Sequence, residues 1–77
     1  MSDTEECEVY SPMTGTITMV YAQDGESVGE GERIIGVEAM KMIHDINAPF
    51  AGKVKHVRAL GDVVGEDDVV AIIVIDF

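Results

Sequence analysis

The sequence predicts an all-β domain, with two four-stranded antiparallel sheets packed face to face and related by quasi-two-fold symmetry. Three observations lead there. Val, Ile and Gly dominate a chain of 77 residues with only 5% aromatics, a composition that suits short aliphatic strands joined by tight turns. One strand pattern occurs twice along the chain. No segment shows a helical period with caps.

In chain order, Met1 to Glu8 is polar and acidic, and a flexible segment is expected over residues 1–8 ahead of a domain over residues 9–77. The repeat opens at Ser11. Ser11-Pro12-Met13-Thr14-Gly15-Thr16-Ile17 lies over Ala48-Pro49-Phe50-Ala51-Gly52-Lys53-Val54, matching Pro12 with Pro49, Gly15 with Gly52 and Ile17 with Val54. In the same alignment Val20 meets Val57 and Ala22 meets Ala59. After a slip of one residue, Gly25 meets Gly61, Val28 meets Val64 and Gly29 meets Gly65. Glu30 then falls on Glu66, Ile34 on Val70 and Val37 on Ile73. Each copy reads as a short strand, a Pro-containing turn, a longer strand, a Gly-acid turn, a very short strand and a final apolar strand. Asp24-Gly25 and Gly61-Asp62 are the turn signals.

Strict alternation would put Ile17 and Val20, three apart, on opposite faces, and the same holds for Val54 and Val57. A bulge in both copies returns each pair to one face. The last strand, Val69 to Ile75, is apolar on both faces. One face belongs to the core; the other is either covered by the N-terminal segment or exposed as a patch, and cover is expected, since bare apolar edges invite aggregation.

Composition excludes several functions. A chain this short has too little bulk for a deep substrate cleft. Fifteen acids against five bases give a net charge of −10, which repels nucleic acid and anionic membranes and serves solubility. Cys7 is alone, so no internal disulfide forms, and a reducing, cytoplasmic setting is expected. No signal peptide is expected, because the start lacks a basic and an apolar region. Val69 to Ile75 is too short to span a bilayer.

Between the two copies lies Glu38-Ala39-Met40-Lys41-Met42. Strand-like runs flank it, Arg33 to Val37 before and Met42 to Ile46 after, so a tight hairpin would carry Met40 and Lys41 at its tip. Tight hairpin turns want Gly or Asn there, and a side chain with positive φ costs roughly 1 kcal/mol or more. Breaking that rule points to function, because strain is retained where a site needs it. The plain alternative is a solvated lysine beside methionines that fill the core. The repeat favours function, since Lys41 sits where the symmetry is broken.

Glu38-Ala39-Met40-Lys41-Met42 resembles the biotin-attachment motif of biotin carboxyl carrier domains. Ser11-Pro12-Met13-Thr14-Gly15 is similar to that family's first Pro-Met-x-Gly turn, and Ala48-Pro49-Phe50-Ala51-Gly52 to its second. Gly25-Glu26-Ser27-Val28 and Gly61-Asp62-Val63-Val64 resemble its paired Gly-acid-x-Val turns. The likeness covers roughly residues 9–76. It implies the biotinyl/lipoyl fold, a flattened barrel, and biotin in amide linkage on Lys41. Met40 and Met42 would be flanks that favour biotin over lipoate, and Glu38 and Ala39 would complete the stretch read by a biotin protein ligase. The implied role is a non-catalytic, monomeric carrier in a biotin-dependent carboxylase, of acyl-CoA or pyruvate type, or in a decarboxylase. It would move a carboxyl group between a biotin carboxylase and a carboxyltransferase. The rivals are a lipoyl carrier and an unmodified interaction module using the acidic surface or the final apolar strand.

Two features depart from the family. Bacterial carriers of the multisubunit acetyl-CoA type carry an inserted thumb between the second and third strands, and Val20 to Gly25 leaves no room for it. Gly36 stands where that strand usually has a larger aliphatic residue, which suggests loose local packing. Other residues carry less. His44 is expected to face solvent on a strand. Lys53, Lys55, His56 and Arg58 read as a solvated basic face. Gly65-Glu66-Asp67-Asp68 lacks the ligand spacing of a calcium loop, and no Cys/His cluster for zinc, Gly-rich phosphate loop or metal set is expected.

Overall fold

Runs of Val and Ile broken by Gly, Pro and Asp fold as strands in the computed structural model, which describes residues 3–55 and 57–76. Eight strands are described: β1 (Thr4–Tyr10), β2 (Gly15–Val20), β3 (Ser27–Val28), β4 (Arg33–Ala39), β5 (Met42–Asn47), β6 (Gly52–Lys55), β7 (Val63–Val64) and β8 (Val69–Asp76). They form two four-stranded sheets, ordered β1-β8-β6-β3 and β5-β4-β2-β7. Every pairing is antiparallel. Exchanging β1–β4 for β5–β8 turns one sheet order into the other, which is the two-fold relation expected from the repeat.

The backbone bonds that tie loops to strands repeat in the same way. Gly25 N–H donates to Val54 O at 2.6 Å and Val54 N–H to Glu26 O at 2.9 Å. In the other half Gly61 N–H donates to Ile17 O and Ile17 N–H to Asp62 O, both at 2.8 Å. Ala48 exchanges bonds with Gly31 and Glu32 as Ser11 does with Asp67 and Asp68. Asp67, at φ 70°, occupies the place of Gly31, at φ 86°.

The core lies between the sheets and is aliphatic. Ile17, Ile34, Ile35, Val37, Val54, Val64, Val70 and Ile73 are each at most 1% exposed. Each such side chain contributes about 1.5–3 kcal/mol by leaving water. β2 carries the expected bulge, with a shift in pairing between Ile17 and Met19. Ile17 is therefore in the core and Val20 packs against it. Val57 packs against the core beside buried Val54, but the bulge expected between them falls on His56, outside the described residues.

Three local expectations change. Thr4 to Glu8, expected as flexible chain, is strand, because Thr4 to Tyr10 pairs along β8 from Asp76 to Val69. Alternation explains it: Cys7 and Val9 pack on the core while Glu6 and Glu8 point to solvent. β1 consequently extends the sheet beside β8 rather than lying over its face. Ile72 and Val74 on that face stay partly exposed, and a Lys55–Glu6 ion pair at 2.9 Å links the strands on either side. His44 is half-buried rather than solvent-facing, since it pairs with the buried Val37 and shares its side of the sheet.

The molecule is elongated, 45 × 18 × 17 Å. β2 starts at Gly15 with Thr16 beside Glu38, close to the β4–β5 turn, and β1 ends just before it at Tyr10. The Tyr10–Val69 end of β1 and β8 therefore lies on the side of that turn. The Thr4–Asp76 end lies a strand length away.

Candidate functional site

Ala39 pairs with Met42, so only Met40 and Lys41 form the turn between β4 and β5. Both have positive φ, 54° and 66°. Positive φ at both central residues defines the turn whose twist matches the strands it joins. The chain thus accepts the left-handed backbone expected from the sequence, without Gly or Asn to ease it.

The side chains at this turn reach outward. Met40 is 95% exposed and Met42 63%, although fully burying a methionine would gain about 1.5–3 kcal/mol. Lys41 is exposed and makes no hydrogen bond or ion pair among the described residues. Glu38 is exposed and Ala39 half-buried. The structure therefore places all five residues of the motif on one hairpin, with the Lys41 amine free at its end. A protruding amine can act as a nucleophile toward an activated carboxyl group supplied by another protein, and it leaves room for an acyl arm to swing.

The hairpin is braced at its root. The Tyr21 hydroxyl donates to Asp45 Oδ1 at 2.9 Å, and Arg33 Nη1 lies 3.6 Å from Asp45 Oδ2. The Arg33 guanidinium stacks 4.8 Å from the Tyr21 ring centre. These residues lie on β4, on β5 and just after β2, so the cluster joins three adjacent strands. The bond to Asp45 raises the Tyr21 pKa, with burial and the carboxylate charge adding to it and Arg33 opposing. The sequence reading missed this cluster, because only the pairing of strands distant in sequence brings the three residues together.

Gly36 is buried, and its neighbours fill the space a side chain would take. A Cβ there would lie 3.1 Å from both Met19 Cβ and Ile43 Cγ2. The expected loose packing is therefore absent. Of the basic stretch, Lys55 is ion-paired, the Arg58 Nε–H donates to Val69 O at 3.0 Å, and His56 lies outside the described residues. Asp68 caps its own turn by accepting from Gly65 N–H at 2.6 Å. No group of three or more His, Cys, Asp or Glu among the described residues could hold a metal ion.

A family model described as "Biotin-requiring enzyme", for biotin/lipoyl domains, matches residues 7–73. The chain belongs to the biotin/lipoyl attachment family. Among its relatives, the mitochondrial propionyl-CoA carboxylase alpha chain of Sus scrofa is 44% identical over 61 residues, covering 78% of this chain and 8% of the relative. The mitochondrial methylcrotonoyl-CoA carboxylase subunit alpha of Oryza sativa subsp. japonica is 43% identical over 51 residues, covering 66% of this chain and 7% of the relative. The urea carboxylase structure from Kluyveromyces lactis superposes with a TM-score of 0.84 at 34% identity, covering 90% of this chain and 6% of that one. A single-chain, multi-domain long-chain acyl-CoA carboxylase gives 0.81 at 32% identity, covering 87% and 7%. This biotin/lipoyl domain thus spans under a tenth of each of these larger proteins.

Proposed function

We propose that Lys41 is the residue to which a biotin protein ligase joins biotin, and that the domain is the carboxyl carrier of a biotin-dependent carboxylase. One observation carries the reading. The chain places Met40 and Lys41, rather than Gly or Asn, in a turn that demands left-handed backbone, and it keeps Met40 and Met42 in water, where neither supports the core. The unpartnered amine and the open surroundings of the turn fit a covalent arm.

The chain's own residues do little chemistry. The deprotonated Lys41 Nζ attacks the activated carboxyl of biotinyl-adenylate, an amide bond forms, and AMP leaves. The ligase supplies the base, in keeping with a Lys41 amine that no side chain bonds among the described residues. Met40 and Met42 offer the ligase an apolar pair that distinguishes this lysine from Lys53 and Lys55. Biotin, once attached, supplies a ureido nitrogen that a biotin carboxylase loads and a carboxyltransferase unloads. The β-sandwich holds the tip at one end, while Thr4 and Asp76 pair at the other. Tethered delivery of this kind works by raising the effective concentration of the carried group.

Intact mass after incubation with biotin, ATP and a biotin protein ligase tests the reading. One biotinyl group on the wild type, absent from Lys41→Ala, is the expected result. A lipoyl adduct formed instead by a lipoate ligase would assign a lipoyl carrier. No adduct with either ligase would leave an interaction module.

A further inference from the structure

The two sheets are related by symmetry, yet their outer faces differ in chemistry. On the β1-β8-β6-β3 sheet one outward row runs Ser27, Lys53, Val74, Glu6, and the next runs Lys55, Ile72, Glu8. Lys and Glu flank the central strand there, and the Lys55–Glu6 ion pair links them at 2.9 Å. The matching rows on the lysine-bearing sheet are Val63, Thr16, Glu38, Ile43 and Met19, Gly36, Asp45. Met19 replaces Lys55, Ile43 replaces Glu6, and Gly36 replaces Ile72.

Met19 and Ile43 close over Gly36, each 3.1 Å from where its Cβ would be. Both remain in water, at 40% and 53% exposure, and Val63 beyond Thr16 is 76% exposed. A contiguous apolar patch rimmed by polar side chains is a mark of an interaction surface, and Met19 and Ile43 meet over Gly36 beside Glu38 and Asp45. Ile43 is two residues from Lys41 on the same hairpin, so a protein that encloses the Lys41 amine meets this face. Glu38 stands between Val63 and Ile43 with no ion pair among the described residues. A second copy of the chain is a poor occupant, because each copy carries a net charge of −10.

We propose that the outer face of the β5-β4-β2-β7 sheet, centred on Met19 and Ile43 over Gly36, is the docking surface for the enzyme that acylates Lys41. That enzyme would present an apolar patch with a basic side chain toward Glu38. This role for the face presupposes that Lys41 is the attachment point.

Steady-state biotinylation by a bacterial biotin protein ligase, with the carrier concentration varied, tests it. Ile43→Lys and Met19→Lys are expected to raise KM about tenfold, the scale of losing a central interface contact, with kcat little changed. Ser27→Lys, which adds the same charge to the other sheet, is expected to leave KM unchanged. Lys41→Ala should compete with the wild type, and Lys41→Ala combined with Ile43→Lys should not. If Ile43→Lys unfolds, shown by a lost urea transition, Ile43→Thr gives the same test with a smaller rise. An unchanged KM in the face variants, with Lys41 still modified, overturns the docking face and leaves the attachment site standing. Failure of the wild type to be modified at all removes both.

Discussion

Gly15 and Gly52 occupy equivalent places in the two halves, each pressed against the neighbouring strand. A Cβ on Gly15 would run into the Glu38 carbonyl and lie 2.6 Å from Val37 Cγ1. A Cβ on Gly52 would run into the Val74 carbonyl and lie 2.8 Å from Ile73 Cγ2. Backbone sets both contacts, so neither neighbour can swing away. Gly15→Ala and Gly52→Ala are each expected to cost about 1–3 kcal/mol, read from urea midpoints. Gly36→Ala should cost less, about 1 kcal/mol or under, since its nearest contacts, Met19 Cβ and Ile43 Cγ2, both lie at 3.1 Å and neither is a backbone carbonyl. Equal costs at all three glycines would contradict this distinction.

At the turn, stability and function should separate. Asn tolerates left-handed backbone, so Met40→Asn is expected to stabilise the fold by about 1 kcal/mol, seen as a higher urea midpoint. The same change removes an apolar flank, and biotin attachment to Lys41 should slow. Met40→Leu and Met42→Leu nearly preserve volume at exposed positions and should leave the unfolding transition unchanged. Their effect should appear in ligase choice or carboxyl transfer. Loss of cooperative unfolding in either Leu variant would mean that these methionines support the core.

The hairpin brace should show in a tyrosine titration. The bond to Asp45 holds the Tyr21 pKa above its ordinary value of 10.0, so folding favours the neutral phenol. Stability from this contact is complete below pH 10 and fades as pH rises through the higher folded value. Tyr10 is raised as well, chiefly by its bond to Glu8, so the measurement belongs in a Tyr10→Phe background. Asp45→Asn should bring the tyrosinate absorbance midpoint down toward the ordinary value, and Arg33→Ala should move it up. A midpoint indifferent to both would mean the three side chains do not meet in solution.

Much of the architecture could be read without coordinates, because its signals are local. Pro12 and Pro49, Gly15 and Gly52, and the Gly-acid turns recur at nearly constant spacing, and spacing is a property of the chain alone. The strain at Met40 and Lys41 was legible for the same reason. A two-residue turn between strand-like runs forces positive φ whatever occupies it. The acidic start misled, since its four acids, Asp3, Glu5, Glu6 and Glu8, outweighed the alternation that makes Thr4 to Tyr10 a strand.

Other features depend on which strands become neighbours. Tyr21 and Asp45 are 24 residues apart and meet only through the pairing of β2 with β4 and of β4 with β5. Whether Gly36 leaves a gap could not be judged until Met19 and Ile43 were seen to fill it from two different strands. The contrast between the two outer faces is likewise set by cross-strand register, where a shift of one residue would send each of these side chains to the opposite face. Local chemistry therefore specified the turns and the displayed lysine, while long-range hydrogen bonding chose what surrounds them.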